Sequence, residues 1–164
     1  MIIKDAMVVI HLAKITLLEK SCEYFKKVII PKKVYDEIIL GKEKGYAEVN
    51  IFEELITNNK LKIAEIENEN LLKKTDELNI QGGEAEAIIL YWENKAQFLA
   101  TDDDNVRKKA KILELNVIGT PSIIVQLYRE KKINKEKFII SIEKLKNIGW
   151  FSNTIIDKIL MEEK

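Results

Sequence analysis

Residues 98–110 read Phe98-Leu99-Ala100-Thr101-Asp102-Asp103-Asp104-Asn105-Val106-Arg107-Lys108-Lys109-Ala110. A short apolar run ends in three successive carboxylates, and Val106, Ala110 and Leu113 then recur at helical spacing. The pattern predicts a buried strand that stops at an acidic corner and turns into a helix. In open α/β sheets ligands bind at the carboxyl ends of strands, so chemistry is expected at this corner. A helix N-terminus offsets part of the mutual repulsion of the three acids. Two readings stay open on this stretch alone: one Asp caps the helix while its neighbours are solvated, or the group holds a hard divalent cation.

Working outward, strands alternate with helices. Met1 to Lys4 predicts a strand with Asp5 at its carboxyl end, and Val8 to Leu18 a helix. Asp5 reads either as that helix's N-cap or as a cation ligand. Lys27 to Ile30 predicts a second strand, and Pro31 suits the first turn of a helix running to Leu40 and stopping at Gly41. Asp36 and Glu37 flank that helix's apolar stripe symmetrically, so periodicity does not choose between them. A further amphipathic segment spans about Val49 to Ile56, and Leu61 to Ala64 alternates like an edge strand. Gly82-Gly83 opens a helix in which Ala85, Ile88, Ile89 and Trp92 form the stripe and Glu84 and Glu86 lie on its two shoulders. Acids there complement the helix dipole or bind a cation. Asn116 to Ile118 predicts the last strand, with Thr120 as N-cap and Pro121 first in the next helix. Later helices carry Phe138, Ile142 and Leu145, and then Ile155, Ile156, Ile159 and Leu160. This alternation predicts parallel pairing with right-handed crossovers.

With 164 residues and 46% apolar composition, the chain reads as one domain, residues 1–164. Its C-terminal helices, about residues 134–164, are expected to pack on the core or in a dimer interface. A single cysteine, Cys22, excludes an internal disulfide and reads as a small core residue. His11, the one histidine, has no partner at metal-ligand spacing and reads as an ordinary helix residue. The N-terminus lacks a signal-peptide run and no stretch reaches membrane-spanning length, so a cytoplasmic location is expected. Charge balances at 27 against 27. If seven acids (Asp5, Glu37, Glu84, Glu86, Asp102, Asp103 and Asp104) converge on a metal, 20 acids face 27 bases elsewhere, a balance of +7. A basic rim around a metal-neutralised pocket permits a polyanion.

No Ser–His pair, cysteine cluster or G-x-x-x-x-G-K-S/T phosphate loop is present. All-oxygen sites with several carboxylates select Mg²⁺ or Mn²⁺, which serve phosphoryl chemistry. Four blocks then carry a specific resemblance: I-K-D-A at 3–6, I-P-x-x-V-x-D-E-I at 30–38, G-E-A-E-A-I at 83–88 and T-D-D-D-N-V-R-K-K-A at 101–110. Together with N-V-I-G-T-P-S-I-I at 116–124, they resemble a PIN-domain nuclease, closest to the VapC-like branch whose third block reads G-E-A-E-A-I. The resemblance implies a three-layer α/β/α fold with a central, mostly parallel sheet of about five strands. It implies a Mg²⁺- or Mn²⁺-dependent endoribonuclease, the toxin of a toxin–antitoxin pair, with an RNA substrate, a small antitoxin partner and a homodimer. Asp5 and Asp103 would be the central metal ligands, with Glu37 and Glu84 completing the catalytic quartet. Glu86 stays open as a ligand, because the related flap endonucleases use both acids of a similar E-A-E. Asp102 resembles the first Asp of the branch's pair, a cap or outer ligand, and the register across Asp102, Asp103 and Asp104 stays open. Thr120 resembles a small hydroxyl residue near the site and Arg107 a phosphate-binding base. Ala6 and Met7 depart from the family, which often has Ser or Thr nearby. The alternatives are a catalytically silent PIN-like module that binds RNA or protein, and a small-molecule phosphatase, which the missing phosphate loop and the absence of an early D-x-D disfavour.

Overall fold

The computed structural model describes residues 1–163. Five strands, β1 (Ile2–Lys4), β2 (Val28–Pro31), β3 (Lys62–Ala64), β4 (Phe98–Ala100) and β5 (Val117–Ile118), pair in the order β3-β2-β1-β4-β5, and every pair is parallel. Helices cover both faces, so the fold is the three-layer α/β/α arrangement expected. The chain runs from β1 outward to β3, then returns to place β4 on the other side of β1. A crevice therefore opens between the carboxyl ends of β1 and β4, where strand order reverses.

Alternation along the strands divides the core. Ile2, Val28, Ile30, Ala100 and Ile118 face a large layer built from α1 (Ala6–Lys14), α2 (Leu18–Phe25), α3 (Lys32–Glu43), α4 (Glu48–Thr57), α8 (Thr120–Arg129), α9 (Lys135–Ile148) and α10 (Asn153–Glu162). Ile3, Ile29 and Leu99 face a smaller layer dominated by α6 (Gly82–Asn94), with Val106 from α7 (Asp104–Lys109). A turn of 3-10 helix at Glu69–Leu71 and the short α5 (Leu72–Asp76) lead into α6. Among the described residues no helix is long and apolar enough to cross a membrane.

Several boundaries differ from the sequence reading. The helix expected over Val8 to Leu18 ends at Lys14, Thr16 turns back at φ +61°, and α2 follows as a separate helix. The helix expected to stop at Gly41 continues to Glu43, because Gly41 keeps helical backbone and the turn to φ +79° comes only at Gly45; the missing side chain at 41 leaves room for the Tyr46 ring, 3.0 Å from where a Cβ would stand. Pro31 ends β2 and sits at the N-cap of α3 rather than inside its first turn.

Lys4 shares the large-layer face with Ile2 and is fully buried. Its ammonium donates to Ser21 Oγ and lies 5.6 Å from the Phe25 ring centroid. Burial lowers its pKa to about 8. Between pH 8 and 10.5 the unfolded chain holds a proton that the native state has released, so stability rises with pH across that window. Below pH 8 the whole penalty is present. Lys4→Met should therefore stabilise the protein at pH 7 by about 1–2 kcal/mol after allowing for the unpaired Ser21 hydroxyl. Chemical denaturation reads this, and a less stable Lys4→Met protein would refute it.

Candidate active site

Two helices begin at the β1/β4 crevice, each capped by an aspartate. Asp5 is the N-cap of α1, with Oδ1 accepting the Val8 amide at 3.0 Å. Asp103 is the N-cap of α7, with Oδ1 accepting the Val106 amide at 2.9 Å. Capping therefore occupies only one oxygen of each carboxylate. The capping and ligand readings of the sequence are compatible, because they draw on different atoms.

Asp5 is 3% exposed and its pKa is raised to about 7. Burial is the main cause; the Thr101 hydroxyl and Val8 amide oppose it, and the neighbouring charges of Asp102 and Glu84 add to it. Glu84, half-buried in the first turn of α6, is raised by burial and by Asp103 and Glu37. Asp5, Glu84, Asp102, Asp103 and Glu37 thus share one electrostatic neighbourhood. The Gly83 amide donates to Glu37 Oε1 at 3.1 Å, and a Cβ at Gly83 would stand 2.9 Å from Glu37 Oε2. Glycine at position 83 thus lets the exposed Glu37 approach the start of α6.

Glu86 points elsewhere. It accepts from the Lys33 amide at 3.3 Å, and its charged neighbours are Lys33, Asp36 and Glu37. Asp104 is exposed on the first turn of α7. Glu86 and Asp104 thus stand apart from Asp5, Glu84, Asp102 and Asp103, while Glu86 shares Glu37 with Glu84 as a charged neighbour.

Asp102 is the structural keystone of the corner. Buried at the end of β4, its Oδ1 accepts the Thr120 amide at 2.7 Å, and its Oδ2 accepts the Thr120 hydroxyl at 2.5 Å. His11 Nδ1 lies 2.8 Å from the same Oδ2. A carboxylate only accepts, so the imidazole is oriented as a donor through Nδ1. Two sequence readings are corrected here. His11 is no ordinary helix residue: it is buried and reaches across 91 positions to Asp102. Thr120 is not the N-cap of α8: Gly119 is, and the fully buried Thr120 commits its hydroxyl to Asp102. Trp150, also missed by pattern reading, donates from Nε1 to the Asp102 carbonyl at 3.1 Å. No local periodicity signals either long-range contact.

Arg107 is exposed at the rim, with Nη1 3.5 Å from the Thr101 carbonyl. A Cβ at Gly119 would lie 2.7 Å from that Nη1 and 3.1 Å from Asp102 Oδ1, so glycine at position 119 keeps the rim open.

The donor set suits a hard cation. Asp5 and Asp103 each keep one oxygen clear of their caps, Glu84 adds a third carboxylate, and among the described residues no lysine or arginine forms an ion pair with any of them. Also among the described residues, no three His, Cys, Asp or Glu side chains are grouped closely enough to hold a metal ion. A hard divalent cation that retains several waters commonly takes only one or two protein carboxylates, so it does not need three side chains closed around it.

A parallel α/β sheet with carboxylates gathered at its switch point defines an acidic-cleft α/β domain. The profile of a family described as a PIN domain matches residues 1–163, and the chain belongs to that family. PIN domains have a nuclease-type fold and are typically divalent-metal-dependent nucleases acting on RNA or DNA. No curated protein and no solved structure gives a significant match.

Proposed function

We propose that this protein is a divalent-metal-dependent endoribonuclease of the VapC-like branch, the toxin of a toxin–antitoxin pair, working as a homodimer held in check by a small antitoxin. The observation that carries the catalytic part is the like-charged Asp5–Glu84–Asp103 group at the switch point: burial pushes the Asp5 and Glu84 pKa values up, and among the described residues no basic side chain forms an ion pair with any of the three. The branch, antitoxin and dimer rest on the resemblance of the four acidic blocks. Asp5, Asp103 and Glu84 would hold Mg²⁺ or Mn²⁺, with Glu37 at the rim beside Gly83. When bound, the metal stabilises negative charge on phosphate oxygens and acidifies water for attack on the phosphodiester. Asp102 keeps the corner rigid through Thr120 and His11, and Arg107 meets a substrate phosphate from the rim.

The open ligand set favours one alternative, a PIN-like module that binds RNA or a partner without cutting. Incubating the protein with single-stranded RNA in Mn²⁺, Mg²⁺ or EDTA decides between them. Cleavage is expected with either metal and none in EDTA. RNA bound but left intact in both metals would establish the silent module, and turnover of small phosphoesters with RNA untouched would point to a phosphatase.

A further inference from the structure

Gly149 closes α9 at φ +79° and Ser152 caps α10, leaving Trp150 and Phe151 in the bend between them. Trp150 is 49% exposed. An exposed aromatic alone is unremarkable, but this one is fixed in place. Its Nε1 is tied to the Asp102 carbonyl, and its ring centroid lies 5.5 Å from that of His11. Phe151 packs edge-on against the same imidazole at 5.4 Å. Since His11 is itself held on the Asp102 carboxylate, the indole is pinned through both the main chain and the side chain of the residue preceding Asp103. On the same corner Arg107 reaches the Thr101 carbonyl, and among the described residues its guanidinium forms no ion pair. An immobilised aromatic and an unpaired cation therefore bracket the segment Thr101 to Asp103.

We propose that Trp150 is a nucleobase platform, stacking a base of single-stranded RNA beside the phosphodiester in the Asp5–Glu84–Asp103 cleft while Arg107 takes a flanking phosphate. This rests on the nuclease reading above. Every nucleobase presents a π face, so such a platform grips RNA with little sequence preference. A stacked platform needs an unstacked, splayed base, which restricts the substrate to single strands, loops and ends. Engaging the indole by its N–H edge holds the ring still while half its surface stays open, which lowers the entropy cost of stacking.

The test compares wild type, Trp150→Leu and Trp150→Phe by fluorescence anisotropy, in Ca²⁺ buffer to limit hydrolysis. The probes are a labelled short single-stranded RNA and the same backbone carrying abasic sites. Wild type should bind the RNA about tenfold or more tightly than the abasic strand. Trp150→Leu should lose that advantage, and Trp150→Phe should recover most of it although it too lacks the N–H. Abasic binding should be the same in all three. Equal RNA binding by wild type and Trp150→Leu would overturn the platform, as would a loss shared equally by RNA and abasic strand, since that would mean Trp150 only braces the corner. Cleavage in Mg²⁺ is read separately. Base-dependent binding without cleavage sinks the nuclease alone, cleavage with unchanged Trp150→Leu binding sinks the platform alone, and no RNA binding by wild type sinks both.

Discussion

Asp103→Asn should cut RNA at least about a hundredfold more slowly than wild type with its fold intact, whereas Asp102→Ala, one residue earlier, should lose about 3–5 kcal/mol of stability. The contrast follows from which atoms each carboxylate has committed. Asparagine caps helices as well as aspartate does, so the Val106 amide keeps its acceptor and the start of α7 survives at position 103. What disappears is the negative charge beside Glu84. Alanine at position 102 leaves the Thr120 amide, the Thr120 hydroxyl and His11 Nδ1 without an acceptor, all of them buried. Total stability for a domain is typically about 5–15 kcal/mol, so that loss is a large share. Thermal denaturation and RNA cleavage measured on the same samples check both halves. Full activity of Asp103→Asn would remove it from the metal site, and wild-type stability of Asp102→Ala would dismantle the keystone role.

The second large effect concerns pH in the absence of metal. Asp5 ionises near pH 4 when unfolded and at about 7 when folded. Between those values the native state holds a proton that the unfolded chain has released, so stability falls as pH rises, and above pH 7 the whole deficit is present. Three units correspond to about 4 kcal/mol as an upper bound. Asp5→Asn keeps the cap on Val8 but cannot ionise. In EDTA at pH 8 it should therefore be more stable than wild type by about 2–4 kcal/mol. Its slope between pH 4 and 7 should shrink to what Glu84, raised in the same direction, leaves behind. Saturating Mn²⁺ should reverse the order, because a cation that binds the folded carboxylates stabilises wild type and has lost a ligand in the variant. Urea titrations across pH with and without Mn²⁺ measure this. A flat wild-type profile in EDTA, or equal stabilisation of both proteins by Mn²⁺, would contradict it.

Much of this architecture was legible in the chain because it is written locally. Phe98 to Ala100 is a short apolar run cut off by carboxylates, and Ile2 to Lys4 ends at Asp5, so both strand ends and both acidic turns could be placed. Choosing among adjacent acids was harder. Glu84 and Glu86 lie two residues apart on one helix and face different ways; the fold turns Glu84 toward Asp103 and Glu86 toward the Lys33 amide. At the Asp triplet, helical phase is undefined at an N-cap, so periodicity could not say that Asp102 turns inward and Asp103 caps. His11 and Trp150 were out of reach because their partner lies 91 and 48 positions away, and neither has a spacing that reports it. The same limit hid the true task of Thr120, since an N-terminal hydroxyl next to proline has the same local pattern whether it caps its helix or holds an aspartate.

The tether from Trp150 to the Asp102 carbonyl also bears on the order in which the molecule is made. A chain leaving the ribosome exposes Asp5 and His11 first, Asp102 and Thr120 much later, and Trp150 near the end. The pairings that brace the corner are long-range in sequence, and a fold rich in such contacts folds slowly. Until residue 150 is free to fold back, the carboxylates have no completed frame. The acidic corner is therefore not fully braced until residue 150 has been made, and a nascent chain carries Asp5 and Asp103 well before that frame is complete.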